Sequence, residues 1–210
     1  MLRLRRYLLW YARRYYGRLV ADFLKTRFMG ASEIIRRSSV RVLSIIIKES
    51  GVTVIFASSK VLEEGPERLI RVRSLNGSII ELPIGVPAEK AYHITHVGPY
   101  GLKCTCTDAL ITASKADKIF LEELKRYGFK RVDVPTPVFT KYVICKHTLA
   151  AASYALALGV ISHESRLFKE VMKLSVLATA LRVQELESMN KRKLMTSYLK
   201  ILRLSKGLPP

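Results

Sequence analysis

The sequence predicts an α+β fold: a small antiparallel sheet that ends in a ββα module, flanked by basic helical N- and C-terminal extensions. Three observations carry this. Between residues 42 and 106 the apolar residues come in short, largely β-branched runs separated by turn residues, as strands do. On either side of that region, apolar residues recur at intervals of three and four, as on one face of a helix. All three cysteines and one of the four histidines fall into two close pairs, Cys104-Thr105-Cys106 and Cys145-Lys146-His147, which give the middle of the chain a focus. At 210 residues the chain is long enough to bury a real core. The division it suggests is a basic amphipathic helical arm over 1–41, a β-rich domain over 42–160 with a helical insert at 107–137, and a basic helical extension over 161–210.

Residues 1–28 read as one helix. Leu9, Ala12, Tyr16, Leu19 and Phe23 form an apolar stripe, Arg3, Arg6, Arg13, Arg14, Arg18 and Lys25 lie largely off it, and Gly30 breaks it. Arg36 to Arg41 leads into an apolar run, Val42 to Ile47, and a second run follows at 52–57. Arg68 to Leu75 and Ser78 to Ile84 flank Asn76-Gly77, a strong hairpin signal because both turn positions require φ > 0. Tyr92 to Val97, the turn Gly98-Pro99-Tyr100-Gly101, and Leu102 to Cys106 give a second hairpin. The sum is an antiparallel sheet of four or five strands. His93 and His96 lie an odd number of positions apart on one strand, face opposite sides and read as ordinary sheet residues.

A helix is expected from Asp108 to Tyr127, with Ala116, Phe120, Leu124 and Tyr127 as its apolar stripe and Gly128 just past its end. Pro135 and Pro137 bracket a rigid loop, and Val138 to Ile144 is strand-like. From His147 the chain reads as helical to its end: about 148–160, then 163–204 with a break. Leu167, Val171, Leu174, Leu177, Leu181 and Leu186 mark a face turned to the core or to a partner. The stretch Thr148 to Ser162 is uncharged but falls short of the ~20 apolar residues needed to span a bilayer, so it reads as a buried helix. With no signal peptide and no transmembrane segment in view, a cytoplasmic location is the expectation.

The two Cys/His pairs carry the chemistry. Zinc is commonly held in structural sites by four ligands in a tetrahedron, and three thiolates with one imidazole make such a set. On a strand, residues i and i+2 point to the same face, so Cys104 and Cys106 can reach one ion. Cys145 and His147 sit where a helix begins, and the unpaired N–H groups of a first helical turn favour a nearby thiolate. The plainer alternative is three unrelated buried cysteines and a core histidine. Disulfides fit badly, because an odd count leaves one thiol over. A catalytic zinc would keep one position open for water, whereas Cys104, Cys106, Cys145 and His147 fill all four, so one structural Zn2+ is expected.

The pattern C-x-C followed by C-x-H, with Ala150 three residues beyond the histidine, resembles the SWIM zinc-finger family, and the SWIM subunits of Shu-type recombination complexes in particular. The resemblance spans about Ala91 to Gly159. It implies the order strand, turn, strand with C-x-C, then C-x-H opening a helix. It also implies a partner of the RecA-paralogue class. The chain departs from most of the family in the 38 residues between Cys106 and Cys145.

Charge points to a partner of another kind. The net charge is +19. Residues 1–41 hold 11 basic and 2 acidic side chains, residues 148–210 hold 10 and 4, and the middle is close to neutral. Basic ends on a neutral core suggest a grip on a polyanion. For the N-terminal helix three roles compete: docking on the core, lying on an anionic membrane, or binding nucleic acid with arginines on phosphates and tyrosines stacked on bases. The last is favoured, and its candidate residues are Arg3, Arg5, Arg6, Arg13, Arg14, Tyr15, Tyr16 and Arg18, joined by Lys191, Arg192 and Lys193 at the other end. RNA in a ribosome-like particle and DNA in recombination both fit. A protein partner could dock on the insert or on the C-terminal helix. Asn76, Gln184 and Asn190 are the only side-chain amides, a composition that points to a hyperthermophile and, with the family resemblance, to an archaeal source. No phosphate loop, nucleophile elbow or H-E-x-x-H motif is present, and Glu63-Glu64 reads as a solvated pair, so the expectation is a protein that is not an enzyme and takes no small-molecule substrate.

Overall fold

The computed structural model describes residues 2–58, 69–73, 79–83, 91–129, 137–184 and 191–205. The fold is mixed α+β. The chain opens with helices α1 (Leu2–Tyr16), α2 (Arg18–Arg36) and the short α3 (Ser38–Arg41). Strands β1 (Val42–Lys48), β2 (Gly51–Ala57), β3 (Leu69–Arg73), β4 (Ile79–Pro83), β5 (Tyr92–Gly98) and β6 (Gly101–Cys104) follow. Helix α4 (Thr107–Arg126), a 3-10 turn (Phe139–Lys141), and helices α5 (Lys146–Ala157), α6 (Arg166–Gln184) and α7 (Lys191–Ser205) complete it.

The expected single helix over 1–28 is two helices. Gly17 interrupts it with φ 91 and ψ 178, a conformation open essentially to glycine alone. The break shifts the apolar stripe. Leu4, Leu8, Ala12 and Tyr16 are buried on α1, and Val20, Ala21, Leu24, Phe28, Ala31 and Ile34 on α2, while Leu19 is 60% exposed. Gly30 does not end the helix. It lies inside α2, where a Cβ would stand 3.2 Å from the Cβ of Lys146, so its missing side chain lets α2 approach α5.

The four-stranded antiparallel sheet runs β1-β2-β5-β6, with β3 and β4 paired as a separate antiparallel ribbon. The Asn76-Gly77 turn expected between β3 and β4 lies outside the described residues. In the main sheet Ile45 pairs with Val54, Val54 with Thr95, and Thr95 with Cys104. Helix α5 lies across β2, β5 and β6 on the face that Val54, Thr95 and Cys104 share. Two expected strand limits are corrected. The second strand of the β5–β6 hairpin stops at Cys104, and Cys106 becomes the N-cap of α4. Residues 138–144 form a 3-10 turn followed by a single parallel bridge between Tyr142 and Leu102, rather than a strand.

Helix α4 matches its expected span, with Ala116, Phe120 and Leu124 buried. It packs against α6, and α1 and α2 pack against α6 and α5. One hydrophobic cluster runs through all of these, from Leu4 and Phe28 through Phe56 and Phe120 to Phe168 and Leu204. The N-terminal helices are therefore docked on the core along their apolar stripe. Among the described residues no helix is long and apolar enough to cross a membrane.

Candidate metal centre

Three elements converge on one point: the end of β6, the start of α4, and the cap and first turn of α5. They carry Cys104, Cys106, Cys145 and His147, whose ligand atoms all lie within 4.8 Å of one another. All four side chains are buried, with exposures of 8%, 4%, 0% and 2%. The grouping is a buried Cys3His site that could hold one metal ion. His147 turns Nδ1 toward the thiols, 3.9 Å from Cys104 Sγ.

Hydroxyl and backbone N–H donors reach two of the three sulfurs. Thr95 Oγ1 donates to Cys104 Sγ at 3.3 Å across the β5–β6 ladder, and the Cys106 N–H donates to the same sulfur at 3.4 Å. Cys145 caps α5: its Sγ accepts from the Thr148 N–H at 3.4 Å, while its own N–H donates to Thr148 Oγ1 at 2.9 Å. This reciprocal cap is why the helix begins where it does. The three sulfurs are shifted in different directions. Hydrogen bonding from the thiols of Cys104 and Cys145 holds Cys106 far below its ordinary value. The Cys106 partnership pushes Cys104 up to about 12, and burial pushes Cys145 up as well. A metal ion takes its ligands as thiolates, so binding here would release the protons the sulfurs hold.

A residue the sequence reading passed over lies beside this site. His93 and His96 do face opposite sides, as expected: His96 Nδ1 sits 3.0 Å from Thr53 Oγ1 on the outer face. But His93 is on the inner face, its ring centroid 4.7 Å from that of His147, and it is not an ordinary sheet residue. The signal was the register: His93 stands two positions before Thr95, which is paired with Cys104. Phe56, the cross-strand partner of His93, also packs on His147, the two ring centroids 5.4 Å apart. Burial, with His147 second, lowers the pKa of His93 and favours its neutral form.

A cleft of about 430 Å³ opens against the centre, lined in part by Arg27, Gly30, His93, Cys106, Lys146 and His147. Its rim is braced by Asp108, which accepts from Arg27 at 2.6 Å and from Arg182 at 2.5 Å, so that α2, α4 and α6 meet on one carboxylate. The Arg27 guanidinium also lies 3.7 Å from the centroid of the Phe23 ring.

The residues named for nucleic acid are placed unequally. Arg3, Arg6, Arg13, Arg14 and Arg18 are exposed on the outer side of α1 and the start of α2, and Arg5 is half-buried. Tyr15 is 51% exposed and Trp10 58%. Tyr16 is 8% exposed and packs into the core, so it cannot present its ring to a base. Lys191, Arg192 and Lys193 occupy the first turn of α7. Comparison with protein-family models, with curated proteins and with solved structures gives no match.

Proposed function

We propose that this is a zinc-binding protein of the SWIM type, not an enzyme, that binds nucleic acid through the outer face of its N-terminal helices. The metal is zinc because three thiolates and an imidazole closing a four-coordinate, buried site suit that ion, and no position is left for a substrate. The ion's part is structural, cross-linking the sheet to the first turn of α5. Structural zinc in finger peptides contributes about 10–16 kcal/mol, comparable with the whole stability of an ordinary domain.

The observation that carries the nucleic-acid reading is the two-sided character of α1. Its inner face is docked by Leu4, Leu8, Ala12 and Tyr16, while its outer face shows Arg3, Arg6, Arg13, Arg14, Trp10 and Tyr15. A helix held rigidly by one face presents guanidinium groups and aromatic edges at fixed spacing, which suits phosphates interleaved with unstacked bases in RNA of a ribosome-like particle. The alternative, an accessory in DNA recombination that docks on a RecA-family paralogue, draws on Leu110 and Ile111 of the insert helix, 56% and 42% exposed.

The test is a salt titration of binding to a looped RNA and to a DNA duplex, on protein whose metal content has been measured. Elemental analysis should find about one zinc per chain. Replacing Arg13 and Arg14 by Glu should flatten the slope of log K against log salt by about 1.5 on single-stranded RNA or about 2 on duplex. An unchanged slope, or no salt-dependent binding at all, rejects the interface and leaves the adaptor reading standing.

A further inference from the structure

We propose that His93 is the acceptor that fixes the tautomer and orientation of the metal-ligating His147; the proposal rests on the zinc reading above. A neutral imidazole that binds a metal through Nδ1 carries its proton on Nε2. His147 offers Nδ1 to the thiols, 3.9 Å from Cys104 Sγ. Its Nε2 is buried and has no hydrogen-bond partner. A ligating histidine nearly always donates that second N–H to an acceptor, which sets the ring and raises its basicity toward the metal.

The neighbouring ring supplies the acceptor. His93 Nδ1 is also buried and also lacks a hydrogen-bond partner. The two ring centroids are 4.7 Å apart and the planes meet at 48°. Metal binding through Nδ1 would turn the rings until these two nitrogens stand about 3 Å apart. One orphaned nitrogen must donate once the metal is bound, and the other has a lone pair to give. Each explains the other. His147 Nε2–H donates to His93 Nδ1, and His93 keeps its own proton on Nε2. The strand register holds His93 in place opposite Phe56, whose ring flanks His147. His93 is thus a positioning residue: it acts on the metal through His147.

Two substitutions in the full-length protein test this. His93→Phe keeps a flat ring and removes the acceptor; His93→Gln removes the ring and keeps an acceptor oxygen. Zinc affinity is read by competition with a chromophoric chelator, and cobalt(II) loading reports the ligand set through its ligand-field bands. His93→Phe should weaken zinc binding about 10–100-fold while the bands stay those of a tetrahedral three-thiolate, one-imidazole site. His93→Gln should recover most of the loss. In the zinc-loaded wild type, nitrogen-15 NMR should place the His147 proton on Nε2, a measurement that stands even if a variant fails to fold. The proposal is overturned by His93→Phe binding zinc as tightly as wild type, by His93→Gln losing as much as His93→Phe, or by His147 ligating through Nε2. Wild-type protein that takes up no metal is a distinct result: it overturns the zinc reading and this proposal with it.

Discussion

Each cysteine pair has a threonine beside it, and the two threonines act differently. Thr148 completes the cap of α5, using its hydroxyl on the Cys145 N–H and its own N–H on the Cys145 sulfur. Thr95 does nothing for a helix: it is a fully buried strand residue whose hydroxyl donates to Cys104 Sγ. A hydroxyl bonded to a thiolate stabilises the charged form that the metal requires, and hydrogen bonds to charged groups contribute about 1.5–3 kcal/mol. Thr95→Val keeps the shape and removes the donor. It should weaken zinc binding by about 1.5 kcal/mol, or roughly tenfold, while the metal-free protein unfolds at nearly the same denaturant concentration. Equal affinity in chelator competition would show that the Thr95 hydroxyl is indifferent to the charge on Cys104. The four side chains of the cluster were legible in the sequence because dyad spacing is a local property. Thr95 and His93 were not, because they reach the site through the register of β5 against β6, which local spacing does not encode.

Elements show the same division between what sequence can and cannot carry. Helix α4 was legible to within a residue or two, since its stripe of Ala116, Phe120 and Leu124 and its terminal Gly128 agree. The helix expected over 1–28 breaks at Gly17, inside it, and continues through Gly30, where the break was expected. Both are glycines in a helical pattern, but Gly17 breaks the helix by its φ, while Gly30 permits the approach of Lys146 on α5, far along the chain. Element contacts also set a pH dependence. Glu170 on α6 lies 2.6 Å from Lys173 Nζ and 2.6 Å from Lys200 Nζ on α7, with its side chain 11% exposed. Burial works against its ionisation, but the hydrogen bonds and charges of the two ammonium groups outweigh it and hold its pKa below the ordinary value. A carboxyl whose pKa is lowered by folding contributes stability above its unfolded pKa and loses it as pH falls through the folded value. Glu170→Gln should therefore destabilise the protein by about 1–3 kcal/mol at pH 6. The gap from wild type should close as the pH is lowered through the acid range in urea titrations. A gap that is constant with pH would mean that the packing of the side chain, and not its charge, ties α7 to α6.

At the scale of the whole molecule the question is whether the N-terminal region is an arm or a wall. A charge count alone suggested an arm, because 11 of the basic residues fall in 1–41. Burial shows a wall with a charged outer surface, and the two ideas separate cleanly by experiment. Complete burial of a leucine is worth about 1.5–3 kcal/mol, and α1 contributes Leu4 and Leu8 to the core together with Ala12 and Tyr16. Deleting residues 1–17 should therefore cost about 5 kcal/mol or more, a large part of what a domain of this kind has to lose. A truncated protein that fails to bind RNA would then say nothing about contacts. The informative variant changes charge and leaves burial alone. Arg3, Arg6, Arg13 and Arg14 are all exposed, and surface substitutions of that kind usually stay within about 0.5 kcal/mol each. Replacing these four by Gln should leave the unfolding midpoint and the zinc content nearly unchanged while lowering affinity for a single-stranded RNA and flattening its salt slope by as much as about 2.8. If truncation instead leaves the midpoint unmoved, α1 is a detachable arm after all, and its apolar stripe serves a partner and not the core.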